Sequence, residues 1–277
     1  MLQEIMKPLP LLPREVWSMS KLYFITDLDR TMIHSKHPGY YCVESIGEKE
    51  ITYMTLTSYE KLQELLRHQH LVFVPCTMRS LAQTTRIDFM KAYQPSFLIC
   101  TNGAQIYIDG QLDLQWEQHM RALIDEAVVR QEFKKIQTLN VGYERLDLTE
   151  GFYISMKFSD DESAKAGWEV LMEQLETEHE ILLVGRKVFV MDARINKAHA
   201  VSYLIQRFAW KEVVTSGDSE VDVEFTKIGR AILPQHACFK HEHATVTTAS
   251  GIRATEEILD YLLAELENYL STSEVFA

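Results

Sequence analysis

The chain has 277 residues, 46% apolar and 25% charged, which suits one large or two smaller globular units with ample core. Its formal net charge of -12 argues against nucleic acid as a partner, because a phosphate backbone needs a basic surface. A small anionic substrate stays compatible, since a local positive site can sit inside an acidic protein, and no stretch approaches the roughly 20 apolar residues of a membrane span.

Residues 1–20, MLQEIMKPLPLLPREVWSMS, lack a basic opening and an unbroken apolar run, and three prolines interrupt them. They are expected to form an N-terminal arm rather than a targeting segment, with Met19 an alternative start. A series of short apolar runs then ends each time in small or polar residues. LYFIT (22–26) runs into Asp27, LVFVPC (71–76) into Thr77, and FLIC (97–100) into Thr101-Asn102-Gly103. VVTS (213–216) leads to Gly217-Asp218, and AIL (231–233) to Pro234. Helical patterns separate these runs at 58–69 and 197–210, and a strongly periodic EEILDYLLAELENYL (256–270) follows the last of them. Continuous apolar strands alternating with amphipathic helices predict an α/β fold with a Rossmann-like parallel sheet covered on both faces. Such sheets bind ligands at the carboxyl ends of their strands, where the polar endings converge.

The middle of the chain is patterned differently. QIYIDGQLDLQW (105–116) alternates around Asp109-Gly110, a hairpin signal. Helical periodicity follows over about 118–138, then strand-like FYISMKF (152–158) and a helix over roughly 161–177. ILLVGRKVFVMDA (181–193) predicts a second hairpin turning at Gly185. The expected organisation is an arm (1–20), a core (21–104 plus 191–277) and an inserted smaller α+β cap (105–190). Of the four cysteines, none forms a CxxC pair. Cys76 and Cys100 close apolar runs and read as buried reduced thiols, consistent with a cytoplasmic protein.

Four groups carry chemistry. Asp27 and Asp29 follow a buried strand, and carboxylates that close repel unless something positive compensates them. Thr77, with Arg79 two residues on, follows another. Lys197 starts a helix that Asn196 can cap. GDSEVD (217–222) places Asp218 and Asp222 after a third strand. The ordered set DxDxT, strand-end Thr, helix-start Lys and GDxxxD resembles the four-motif signature of the haloacid dehalogenase superfamily of phosphohydrolases. TNGA (101–104), followed by an inserted α+β unit, is similar to its Cof-type, sucrose-phosphatase-like subgroup. The sequence departs from that subgroup at Val221, where Asn is common, and at Met78, where Gly is common.

The resemblance implies a Mg²⁺-dependent phosphatase acting on a small phosphorylated metabolite through an aspartyl-phosphate. Asp27 would be the nucleophile and Asp29 the acid and base. Asp27, the Asp29 carbonyl and Asp218 would hold the metal, with Asp222 supporting the metal or Lys197. Thr77, Arg79, Lys197 and Asn102 would surround the phosphate, although Arg79 fits a structural ion pair equally well and Asn102 fits a loop-shaping role better. A sugar phosphate is the expected substrate. The DLDRT wording also resembles phosphatases of bacterial stress gene clusters, which leaves a nucleotide or nucleoside-linked phosphate open, and phosphomannomutases of the same superfamily are a further enzymatic rival. A receiver module shares the phosphorylated Asp, the metal, a strand-end Thr or Ser and the Lys, but is about half this length and lacks a counterpart of GDSEVD. A catalytically silent scaffold is the remaining rival; the intact Asp27, Asp29, Thr77, Lys197 and Asp218 speak against it.

Overall fold

A computed structural model describes residues 21–35 and 37–274; the expected arm, with Met19, lies outside them. The strand Leu22–Thr26 is buried along its whole length and lies inside a parallel five-stranded sheet. The order across that sheet is Thr245–Val246, Arg230–Leu233, Glu212–Ser216, Leu22–Thr26, Leu71–Pro75. Side chains alternate between its faces, as strand geometry requires. Leu22 and Phe24 join a cluster that includes Leu62 of the helix Leu56–Leu65 and Ile258, Leu262 and Leu266 of the helix Ala254–Glu274. Tyr23 and Ile25 join the opposite cluster, with Val201 and Leu204 of the helix Lys197–Phe208. A strand buried on both faces needs apolar residues at every position, which is why LYFIT and LVFVP read as unbroken runs.

The strand Phe97–Cys100 differs from expectation. A single parallel bridge, Cys76 to Ile99, ties it to the sheet edge, and its main partner is the antiparallel strand Gln105–Ile108. Positive φ at Thr101, Asn102 and Gly103 turns the chain back on itself directly after Cys100. The hairpin at Asp109-Gly110 is present, closed by Gln111–Leu112. A second hairpin, Tyr41–Ile46 with Lys49–Met54, turns at Gly47 and had no counterpart in the sequence reading.

The expected helix over 118–138 is two helices, Leu114–Leu123 and Glu126–Thr138. Asp125 separates them, its carboxylate accepting from the Ala127 amide at 2.9 Å. The first of the two packs on the parallel-sheet side, where Trp116 Nε1 donates to the Gly103 carbonyl and Tyr203 donates to Asp113. A four-stranded antiparallel sheet follows, in the order Glu180–Val184, Lys187–Met191, Tyr153–Lys157, Arg145–Thr149. Ile154, Met156, Val188 and Val190 share one buried cluster with Val129 and Ile136 of Glu126–Thr138 and with Ala164 and Leu171 of the helix Asp161–Gln174. The other face of this sheet lines a cleft against the loop after Pro75.

All four cysteines are free; Cys76 and Cys100 are buried, and burial pushes both thiols up, Cys100 to about 12. No described helix is long and apolar enough to cross a membrane.

Candidate active site

The carboxyl ends of the parallel strands bring together residues separated by up to 195 positions. Asp27 leaves Leu22–Thr26 with its amide donating to the Ser216 carbonyl of the neighbouring strand at 2.9 Å. That bond holds the two strand-end loops, 27–31 and 217–222, side by side. Lys197, wholly buried at the first position of its helix, reaches Asp27 Oδ1 at 2.6 Å and Asp222 Oδ1 at 2.7 Å. Asn196 caps that helix as expected, its side-chain oxygen accepting from the Ala198 amide at 2.7 Å. Asp222 Oδ2 accepts from the amides of Asp218 and Ser219 and from the Ser219 hydroxyl, at 2.8 to 3.1 Å. Asp222 therefore shapes the loop that presents Asp218. Gly217 makes this possible, because a Cβ there would lie 2.5 Å from the Cβ of Asp222.

The electrostatics follow from burial. Desolvation raises the Asp27 carboxyl well above its ordinary value; Lys197 opposes this, and Asp222, Asp218 and Asp29 add to it. Asp218, 2% exposed, is pushed up to about 7 by burial and by the nearby Asp222 charge. Burial alone would lower Lys197, but the charges of Asp222 and Asp27 hold it above the ordinary lysine value, so it stays protonated. Ligand oxygens of Asp27, Asp218 and Asp222 lie within 4.8 Å of one another, the one group of described residues placed to share a metal ion. Asp218 Oδ2 is buried and accepts no hydrogen bond, although Arg30 Nε stands 3.0 Å away as an ion-pair partner. Three clustered buried carboxylates, one with an oxygen lacking a hydrogen-bond donor, fit a hard divalent cation, which takes oxygen ligands.

Asp29 sits apart from the buried trio, its side chain 43% exposed, and pairs bidentately with Arg79 at 2.7 Å through both oxygens. Partial desolvation in the cleft would raise this half-exposed carboxyl; the Arg79 charge and hydrogen bonds outweigh that and hold it well below the ordinary carboxylate range. Arg79 also donates to the fully buried Glu44 at 2.8 Å, and Arg86 pairs with the other Glu44 oxygen. Of the two roles expected for Arg79, the ion pair is the one occupied. The side-chain amide of Asn102 donates to the Ile195 carbonyl at 3.1 Å and to Met191 Sδ, and so ties the 101–104 turn to the segment entering the Lys197 helix. Thr77 is 1% exposed, with its amide bonded to the Ile99 carbonyl and its hydroxyl accepting from the Arg79 amide. Met78 lines the cleft, and its carbonyl accepts from the Tyr153 hydroxyl of the antiparallel sheet at 2.7 Å. Val221 lines a separate cavity, together with Asn102, Asn196 and Leu182.

Arg30, Glu44 and Arg86 were missed by the sequence reading. Arg30 occupies the second variable position of DxDxT, and its φ of 67° is unusual for a non-glycine residue. Glu44 interrupts the otherwise mixed strand YCVESI, and only its burial distinguishes it from a solvated glutamate.

Residues 20–232 match the family model described as sucrose-6F-phosphate phosphohydrolase. The chain belongs to this family. As a haloacid dehalogenase-like phosphatase of the sucrose-phosphatase family it is an enzyme, a phosphoric monoester hydrolase. Solved structures share the fold. The sucrose-phosphatase of Synechocystis, determined with sucrose and phosphate, is 19% identical with a TM-score of 0.58, covering 88% of this chain and 98% of that one. The C-terminal domain of trehalose-6-phosphate phosphatase from C. albicans is 13% identical with a TM-score of 0.56, covering 91% and 98%. A haloacid dehalogenase-like hydrolase from Bacteroides thetaiotaomicron is 14% identical with a TM-score of 0.55, covering 88% and 100%. Among curated proteins none matches the chain significantly.

Proposed function

We propose that this member of the sucrose-6F-phosphate phosphohydrolase family is a Mg²⁺-dependent sugar-phosphate phosphatase that works through an aspartyl-phosphate. The observation that carries the reading is the buried chain Asp27–Lys197–Asp222, with Asp218 beside it, assembled from two strand ends and one helix start. Lys197 holds Asp27 through Oδ1 and orients the other carboxylate oxygen to attack phosphorus. Thr77 positions a phosphoryl oxygen through its hydroxyl hydrogen. Asp29 gives a proton to the leaving sugar oxygen as the P–O bond breaks, then takes a proton from the water that hydrolyses the aspartyl-phosphate. Since Arg79 keeps Asp29 ionised, Asp29 must leave that pairing and take up a proton before the first step. Asp27 and Asp218, with the Asp29 carbonyl, are the residues that would hold Mg²⁺, and Asp222 positions both Lys197 and the Asp218 loop. Bound there, the ion supplies positive charge against the carboxylates and the phosphoryl oxygens.

The antiparallel sheet and its two helices serve as a lid that covers the substrate and excludes water. The Tyr153–Met78 hydrogen bond supports a closed arrangement. The segment 105–123 packs on the parallel-sheet side, so the moving unit would begin near Asp125. The sugar-phosphate reading rests on the family and agrees with the Synechocystis enzyme having been solved with sucrose and phosphate. The free buried thiols support a reducing compartment, the cytoplasm.

The test is inorganic phosphate release from sucrose 6F-phosphate, trehalose 6-phosphate and p-nitrophenyl phosphate, with Mg²⁺ and with EDTA. Release that needs Mg²⁺ is expected, with at least one sugar phosphate preferred over the aryl ester. Equal rates in EDTA would remove the metal from the account, and turnover of the aryl ester alone would remove the sugar.

A further inference from the structure

The cleft between the antiparallel sheet and the loop after Pro75 encloses about 280 Å³, and Asp29 and Arg79 form part of its wall. Opposite them the sheet presents three basic residues in one row. Lys157 is paired directly with Lys187 on one neighbouring strand and with Arg145 on the other. Directly paired residues project from the same face, and all three line the cleft. Adjacent strands are about 4.8 Å apart, so three like charges stand shoulder to shoulder, an arrangement that destabilises a sheet unless an anion intervenes.

The protein neutralises the row only from one end. Arg145 pairs with Asp147 at 2.6 Å, and Lys157 Nζ is 3.9 Å from Glu144. Among the described residues no carboxylate lies within ion-pair distance of Lys187, whose charge nonetheless reaches Asp29 across the cleft. The next row inward carries Asp147, Ser155 and Phe189: the carboxylate already paired with Arg145, a hydroxyl and an aromatic ring. The Tyr153–Met78 hydrogen bond fixes this face over the motif that holds Arg79.

We propose that the Arg145–Lys157–Lys187 row is a second anion subsite, so that the preferred substrate is a sugar phosphate carrying another anionic group, a carboxylate or a second phosphate, on its leaving-group side. The inference rests on Asp29 as the proton donor to the leaving oxygen, because the departing group then lies between Asp29 and the row. Ser155 and Phe189 contact the sugar, and Lys187 engages the second anion most directly, having no ion-pair partner among the described residues.

The experiment compares kcat/KM for glucose 6-phosphate, 6-phosphogluconate and glucose 1,6-bisphosphate, each with wild type, Lys187→Gln and Lys157→Gln. Wild type should favour at least one doubly anionic substrate over glucose 6-phosphate by about tenfold or more, and which one identifies the anion. In Lys187→Gln that ratio should fall about tenfold, ~1.4 kcal/mol of discrimination. Raising salt should shrink the wild-type preference but not that of Lys187→Gln. Turnover of all three at equal kcat/KM by wild type, or an unchanged ratio in both variants, overturns the subsite. Thermal shifts of Asp27→Asn on adding glucose 1,6-bisphosphate or glucose 6-phosphate decide the matter apart from catalysis. A larger shift with the bisphosphate, reduced by adding Lys187→Gln, supports the subsite even if no phosphate is released, an outcome that would defeat the phosphatase reading alone. Equal shifts overturn the subsite whatever the turnover.

Discussion

Replacing Lys197 by Met removes one buried positive charge and leaves two buried carboxylates facing each other. Lys197 has no exposed surface and stands 2.6 and 2.7 Å from Asp27 and Asp222, themselves 5% and 0% exposed. Breaking a buried ion pair by removing one partner costs ~3–5 kcal/mol, because the remaining charge stays uncompensated. For 277 residues an unfolding entropy of about 2.1 cal/mol/K per residue gives ~0.6 kcal/mol/K, so the loss corresponds to about 5–9 °C in Tm. Thermal unfolding by circular dichroism measures this. Lys197→Met combined with Asp222→Asn should lose clearly less than the sum of the single variants, since each change then relieves the other. Activity should fall by about 10² to 10³, the usual loss on deleting one charge-stabilising donor. An unchanged Tm, or strictly additive losses in the double variant, would refute the idea that Lys197 bridges the two carboxylates in the folded enzyme.

Gly217→Ala should abolish activity and lower Tm by several degrees, because its Cβ would collide with the Asp222 Cβ at 2.5 Å and displace the 217–222 loop; wild-type turnover by this variant would contradict the packing. Arg79→Lys cannot reproduce the bidentate pairing that Asp29 must leave before it takes up a proton. The pH limb of kcat that reports Asp29 protonation should therefore move to higher pH, while Arg86 still pairs with Glu44 and limits the fall in stability; an unmoved limb would contradict the restraint. In the antiparallel-sheet unit, a hydrogen bond to Glu132 raises the pKa of His179 against the opposing effect of burial. The charged imidazole therefore adds stability below the unfolded value of about 6.5, and that contribution disappears as pH rises through the folded value. The Tm difference between wild type and His179→Gln should be largest near pH 6 and shrink by about pH 9; a constant difference would contradict the assignment.

The strands that build the parallel sheet were legible because burial on both faces leaves no room for polar residues, as in LYFIT and LVFVP. Lys197 and its Asn196 cap were legible because a helix start obeys local capping rules. The FLIC strand was misplaced for a specific reason: an apolar run tells that a strand is buried, not which way its partner runs, and the turn at 101–103 sends it into an antiparallel pair. Asp125 shows the reverse case, a local cap that splits a periodicity continuous on either side of it. Pairing across long separations was illegible. Nothing in the letters ties Glu44 to Arg79 and Arg86, or aligns Arg145, Lys157 and Lys187 across three strands, because register is set by tertiary packing of the opposite face.

The covalent role of Asp27 can be read directly. Asp29→Ala enzyme, slowed in hydrolysing the intermediate, would be mixed with a ³²P-labelled sugar phosphate and Mg²⁺, quenched in acid, and either counted or reduced with borohydride before peptide mass spectrometry. Label on the protein, with reduction to homoserine at residue 27 and nowhere else, is the predicted result. Phosphate transfer to another residue, or release of labelled phosphate with no protein-bound label at any time point, would contradict an aspartyl-phosphate at Asp27.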